Sequence, residues 1–121
     1  MSRIVHFEIN AADTGKATAF YGGVFGWQFQ KWDGPQEYWL IKTGENGSPG
    51  IDGGLMSVAD WPQTVNTVQV DSVDAFTEKI AEHGGEVAMP KMAVPGMGYV
   101  AYFKDTNGVV FGIFQPDPSA A

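Results

Sequence analysis

Gly54-Leu55-Met56 and Gly112-Ile113-Phe114 each set a glycine before a large apolar pair at the end of a strand-like run. The residues leading up to each triplet follow the same order. Ahead of the first, Ile4-Val5-His6-Phe7-Glu8-Ile9 alternates, so Val5, Phe7 and Ile9 share one strand face while Ile4, His6 and Glu8 share the other. Asp13 can then cap a helix with the apolar stripe Ala17, Phe20, Tyr21 and Val24, closed by Gly26. Strands are expected at residues 27–30 and 37–42, on either side of the turn Asp33-Gly34-Pro35, and again at 51–57 after a glycine-rich loop at 44–50.

The second half repeats the series. Residues 65–70 read as a strand, and Ser72 caps a helix with the stripe Val73, Phe76, Ile80 and Ala81 that stops at His83-Gly84-Gly85. Strands follow near residues 86–89, 99–103 and 109–114, with Gly96-Met97-Gly98 as a hairpin turn. The tail from Gln115 to Ser119, with Pro116 and Pro118, is expected to fray. His6 to Val65, Asp13 to Ser72 and Gly26 to Gly85 are each offset by 59 residues, and Gly54 to Gly112 by 58. Two βαβββ modules, at 4–57 and 65–115, are thus predicted within one domain at 1–121. The fold expected is α+β, a curved mixed β-sheet cup with the helices on its outer face. Since Val5, Phe7 and Ile9 are the more apolar set, they belong under the helix, which leaves His6 and Glu8 on the open face.

Composition excludes several classes of function. Fourteen acidic residues against seven basic ones, with no Lys/Arg cluster, argue against nucleic acid as a partner. No apolar run nears the ~18 residues needed to cross a bilayer. Met1-Ser2-Arg3 leads straight into a strand with no secretory signal, so a cytoplasmic location is expected. With no cysteine there is neither disulfide nor thiolate chemistry. No Gly-x-Ser-x-Gly elbow or phosphate-binding loop is present.

Three segments together resemble the vicinal oxygen chelate superfamily, which includes glyoxalase I, extradiol dioxygenases, methylmalonyl-CoA epimerase and bleomycin-resistance proteins. They are Val5-His6-Phe7, the helix end Ala19-Phe20-Tyr21-Gly22-Gly23-Val24-Phe25-Gly26-Trp27, and Tyr102-Phe103-Lys104-Asp105-Thr106-Asn107-Gly108. The resemblance covers residues 4–115 and bears on the fold far more than on the reaction. It implies four metal-ligand positions: His6, Gly54, Val65 and Gly112. Only His6 can ligate, whereas even an open catalytic site keeps about three protein ligands. The metal site therefore reads as dismantled, with no metal and no cofactor expected.

Three functions follow as expectations. The first is a metal-independent glyoxalase/bleomycin-resistance-type domain that binds a small, partly apolar molecule in the cup. Its contacts would be His6, Glu8, Trp39, Asp52, Met56, Tyr102 and Phe114, with glycine at 54 and 112 leaving the floor open to a flat ligand. Tyr38 and Trp39 are equal candidates for the inward position on their strand. The second is a metal-dependent lyase, isomerase or dioxygenase with its ligands shifted to His6, Glu8 and Asp52, an imidazole–carboxylate set suited to Fe(II), Mn(II) or Ni(II). In a metal-free variant of it, His6 serves as a general base on a carbonyl compound. The third is a protein-interaction module. A homodimer is expected from the family, with no membrane partner.

Overall fold

The computed structural model describes residues 2–121 and places Met1, the first residue of the Met1-Ser2-Arg3 lead-in, outside the described residues. Ten elements alternate as β1 (Arg3–Asn10), α1 (Thr14–Phe25), β2 (Gln28–Lys31), β3 (Tyr38–Lys42), β4 (Gly53–Met56), β5 (Thr64–Gln69), α2 (Val73–Glu82), β6 (Glu86–Val94), β7 (Gly98–Lys104) and β8 (Val110–Pro116). The α+β class and the two βαβββ runs are those expected. The chain divides into two compact units, one of residues 6–65 and one of residues 66–121 with the first few residues.

In the first unit the strands lie in the order β2-β3-β4-β1. The β1–β4 pair is parallel and the others antiparallel, so the sheet is mixed. Asp13 caps α1 as expected, its carboxylate accepting from the Lys16 amide at 3.0 Å, and Gly26 closes the helix at φ 74°. Helix α1 lies on the sheet face of Phe7 and Phe29. The Phe7 ring is 5.9 Å from that of Trp27, which stacks on Tyr21 of the helix at 5.3 Å, and Gly22 approaches Phe29. The expected apolar stripe is only half right. Ala17 and Tyr21 turn inward, but Phe20 and Val24 are 59% and 58% exposed. Apolar residues surround this helix, so periodicity alone could not choose its buried side. Small residues (Ala17, Thr18, Gly22) take the inner face, where the backbone approaches the sheet closely.

The second unit orders its strands β5-β8-β7-β6, again with one parallel pair, β5–β8. Ser72 caps α2 by accepting from the Ala75 amide at 3.1 Å, and His83 ends it. Val73, Phe76 and Ile80 pack on the face of Ala101, Phe103 and Ile113, while Ala81 is exposed. Strand β6 runs past its expected end at Met89 through Pro90 to Val94. It does so with register shifts, which an edge strand tolerates because a missing N–H breaks no inner ladder.

The tail overturns its expectation. Instead of fraying, β8 continues to Pro116, and the Asp117 amide donates to the Met97 carbonyl at 2.9 Å. The Gly96 amide donates to Ala120 at 2.8 Å, which leaves Ala120 buried. Asp117 closes this turn by accepting from both the hydroxyl and the amide of Ser119, and those bonds hold its carboxyl below the usual value of 3.8. A depressed carboxylate stabilises the fold above its ordinary pKa and loses that contribution as pH falls through its folded value. We therefore expect the Ser119 amide to lose protection from hydrogen exchange only below about pH 4, the ordinary carboxylate range. Asp117→Asn should show the loosened tail already at neutral pH, and a pH-independent Ser119 amide in the parent protein would refute the assignment.

Candidate functional site

The polar cluster of the first unit lies on the sheet face opposite α1, where alternation along β1 puts His6 and Glu8. Glu8 stands beside Gly54 in the parallel register of β1 and β4. Across β4, Tyr38 pairs with Met56 and lies diagonal to Gly54, within reach of an aromatic side chain. The Tyr38 ring leans over Gly54 and brings its hydroxyl between His6 and Glu8. The hydroxyl donates to Glu8 Oε2 at 2.9 Å, and His6 Nε2 is 3.0 Å from the same hydroxyl oxygen. His6 Nε2 and Glu8 Oε2 are 3.8 Å apart. Trp32 meets Tyr38 edge-on at 6.2 Å, and Gly34 makes room for the Trp32 ring.

Tyrosine has one hydroxyl proton. With Glu8 ionised and accepting it, the bond to His6 must be supplied by Nε2–H. The imidazole therefore carries a proton on Nε2. The His6 side chain is 33% exposed, whereas Glu8 is 5% exposed, so the cluster runs from a reachable imidazole to a buried carboxylate. A carboxylate taken from water needs such donors, each bond to a charged group contributing about 1.5–3 kcal/mol.

Of the residues predicted to line a site, His6, Glu8 and Met56 share this face of the first unit. Trp39 does not. Adjacent to Tyr38 on β3, it turns to the α1 side, where it pairs with Leu55 and its buried Nε1–H has no acceptor among the described residues. The inward residue is Tyr38, which sequence reasoning left level with Trp39. Tyr-Trp-Leu-Ile-Lys is apolar on both faces, so nothing in the strand itself sets its phase. Asp52 also departs from expectation. Its carboxylate accepts from the Thr43 amide at 2.9 Å and the Thr43 hydroxyl at 3.2 Å, closing the loop at 44–50 instead of facing His6. In the second unit, Tyr102 and Phe114 lie on the Gly112 face of β7 and β8. There Thr67, buried, holds the position that the 59-residue offset assigns to Glu8, and Val65 that of His6.

The two glycines are not an open floor. A Cβ on Gly54 would fall within the Tyr38 hydroxyl and ring, and one on Gly112 would come 3.0 Å from Tyr102 Cε1. This bears on the metal that the fold family implies. A carboxylate side chain at position 54 would need the volume that Tyr38 fills. Among the described residues no three His, Cys, Asp or Glu side chains gather as a metal group, the proposed His6–Glu8–Asp52 set included. The residues present do not fit a divalent ion.

Comparison with known proteins agrees with the fold. A family profile described as "Bleomycin resistance protein-like N-terminal" matches residues 3–44. CFP32 of Mycobacterium tuberculosis, provisionally named a glyoxylase, is 26% identical over 128 aligned positions, covering 89% of this chain and 43% of that protein. The anthracycline biosynthesis protein DnrV of Streptomyces peucetius is 27% identical, covering 90% of this chain and 45% of its own length. The chain thus spans less than half the length of the curated relatives it matches. Among solved structures, the hypothetical protein BH1468 of Bacillus halodurans superposes with a TM-score of 0.74 at 14% identity, covering 99% of this chain and 98% of that one. Methylmalonyl-CoA epimerase of Mycobacterium tuberculosis superposes at 0.71 with 18% identity, covering 95% and 88%. A glyoxalase/bleomycin resistance protein/dioxygenase superfamily member from Vibrio splendidus gives 0.65 at 14% identity, covering 97% and 100%. With its repeated βαβββ architecture, its matched N-terminal segment and these relatives, the chain is similar in fold to the vicinal oxygen chelate superfamily.

Proposed function

We propose that this protein is a single glyoxalase/bleomycin-resistance-type domain that binds a small, partly apolar molecule without a metal ion. The binding surface is the His6–Glu8–Tyr38 face of the first unit. The observation that carries this reading is the Tyr38 hydroxyl, bonded to both His6 and Glu8 above the glycine at position 54. A phenol there replaces a ligand carboxylate with a neutral hydrogen-bonding group, and Leu40 and Met56 supply apolar surface on the same strand faces. Such a mixture, mostly apolar with a few placed polar groups, suits a small organic ligand. No helix among the described residues is long and apolar enough to cross a membrane. A homodimer in the cytoplasm, without nucleic-acid partners, completes the proposed setting.

The test is elemental analysis of protein purified without chelator or affinity metal, with thermal-shift series in Mn, Fe, Co, Ni and Zn and in a library of small aromatic and carbonyl compounds. We expect no near-stoichiometric metal and no metal-dependent rise in Tm, since a specific site would stabilise the fold by linkage. At least one organic compound class should raise Tm. Stoichiometric metal that disappears in His6→Ala would overturn the reading in favour of a metal enzyme.

A further inference from the structure

We propose that Asn46 is a site of spontaneous deamidation through a succinimide, and that the fold shields Asn107, which is also followed by glycine, from the same reaction. The product is aspartate or isoaspartate in the loop at 44–50. The inference stands independently of the binding function.

The chain holds two Asn-Gly pairs, Asn46-Gly47 and Asn107-Gly108. Glycine after asparagine favours ring closure, because no side chain restricts the backbone that must bring its amide nitrogen to the asparagine side chain. That nitrogen gives its proton to hydroxide and forms a bond to the asparagine Cγ. The Cγ–Nδ2 bond breaks, and Nδ2 leaves as ammonia with a proton taken back from water. Water then opens the succinimide at either of its two carbonyls. One opening leaves aspartate; the other leaves isoaspartate, with the main chain routed through Cγ. Water is the only co-reactant consumed.

Both pairs are exposed, and both glycines have positive φ, 88° at Gly47 and 80° at Gly108. A Cβ on either would meet nothing within 4 Å, so access does not separate them. Hydrogen bonding does. At the second pair the nucleophile is committed, since the Gly108 amide donates to the Asp105 carbonyl at 3.0 Å. The same turn is tied by Asp105 Oδ1, which accepts from the Asn107 amide at 2.8 Å and the Val109 amide at 3.0 Å. The Asp105 amide in turn donates to the Val109 carbonyl at 2.9 Å. Gly108 must leave this turn before its nitrogen can swing toward Asn107 Cγ. The first pair is closed around Gly47 and not through it. The Ser48 amide and hydroxyl both donate to the Glu45 carbonyl, while the Gly47 amide donates to no described residue. Ring closure there breaks no hydrogen bond of the nucleophile. At the base of the loop Thr43 bonds to Asp52 and Ile51, so the new charge and the rerouted backbone stay outside β3 and β4.

The test is ageing of the intact protein at mildly alkaline pH, where more of the amide is ionised, followed by peptide mapping with mass spectrometry. Conversion at Asn46 should run about tenfold ahead of conversion at Asn107, the factor set by the local opening of hydrogen bonds at Gly108. Each event adds one negative charge to a chain of net charge −7, so a more acidic isoform should accumulate on anion exchange. Asn46→Gln, whose longer side chain closes the ring far more slowly, should remove that isoform over the same period. The same chain held in urea is the control, and there the two pairs should convert at similar rates, because only the folded turn separates them. Asp105→Ala removes the carboxylate ties and leaves Asn107-Gly108 intact, so it should speed conversion at Asn107 several-fold with Asn46 unchanged. Equal rates in the native protein, or a faster Asn107, would overturn the proposal. So would a native Asn46 that stays intact for as long as urea takes to convert it, or a difference between the two pairs that persists in urea.

Discussion

Gly54→Ala is expected to lower stability by about 3–5 kcal/mol and to drive Tyr38 off His6 and Glu8. Two effects combine. The added methyl would occupy space held by the Tyr38 hydroxyl and ring, and overpacking of this kind costs about 1–3 kcal/mol. Moving Tyr38 away also takes a donor from the buried Glu8 carboxylate, worth about 1.5–3 kcal/mol for a bond to a charged group. Denaturant unfolding of Gly54→Ala, Tyr38→Ala and the double variant forms a cycle. The double variant should be more stable than the sum of the single losses predicts, by about 1 kcal/mol or more, because both substitutions act on one contact. Additive losses, or an alanine at 54 tolerated within about 0.5 kcal/mol, would show that Tyr38 does not need that glycine.

Phe103→Ala should cost about 3–5 kcal/mol, through lost burial and the cavity left behind. Phe103 is 2% exposed and belongs to the cluster of Val70, Val73, Ala101 and Ile113, with Phe111 stacked on it at 6.0 Å. Phe20→Ala on α1 is the informative contrast. The same deletion at a position more than half exposed should change stability by no more than about 0.5 kcal/mol. Equal losses at the two positions, measured by urea unfolding, would mean that Phe20 is buried in solution, against the face assigned here to α1.

Much of this structure was legible in the residues because local patterns carried it. Asp13, Gly26, Ser72 and His83 bound the two helices where capping chemistry places them. The 59-residue offset announced the repeated unit. Alternation along β1 put His6 and Glu8 opposite Phe7, since a strand with one strongly apolar face has only one stable phase. Where both faces are apolar the phase is undetermined, and there the reading failed. Trp39 was named as a contact with Tyr38 an equal candidate for the inward position, and Phe20 and Val24 were assigned to the buried side of α1. Asp52 has the strand parity of Gly54 but lies just outside β4, where the nearby Thr43 amide claims its carboxylate.

From sequence alone, then, came the architecture, the absence of ligating side chains at 54, 65 and 112, and the place of His6 and Glu8 on one face. The architecture and that shared face follow from residue type and periodicity, and the positions at 54, 65 and 112 from the family resemblance. The tertiary structure alone decided what fills the space beside position 54. Tyr38 is 30 residues from Glu8 and 32 from His6 in the chain, and reaches them only because β3 and β4 pair in the register that puts its ring over Gly54. The glycine seen in the sequence as an absence is, in the folded chain, the space in which that tyrosine stands.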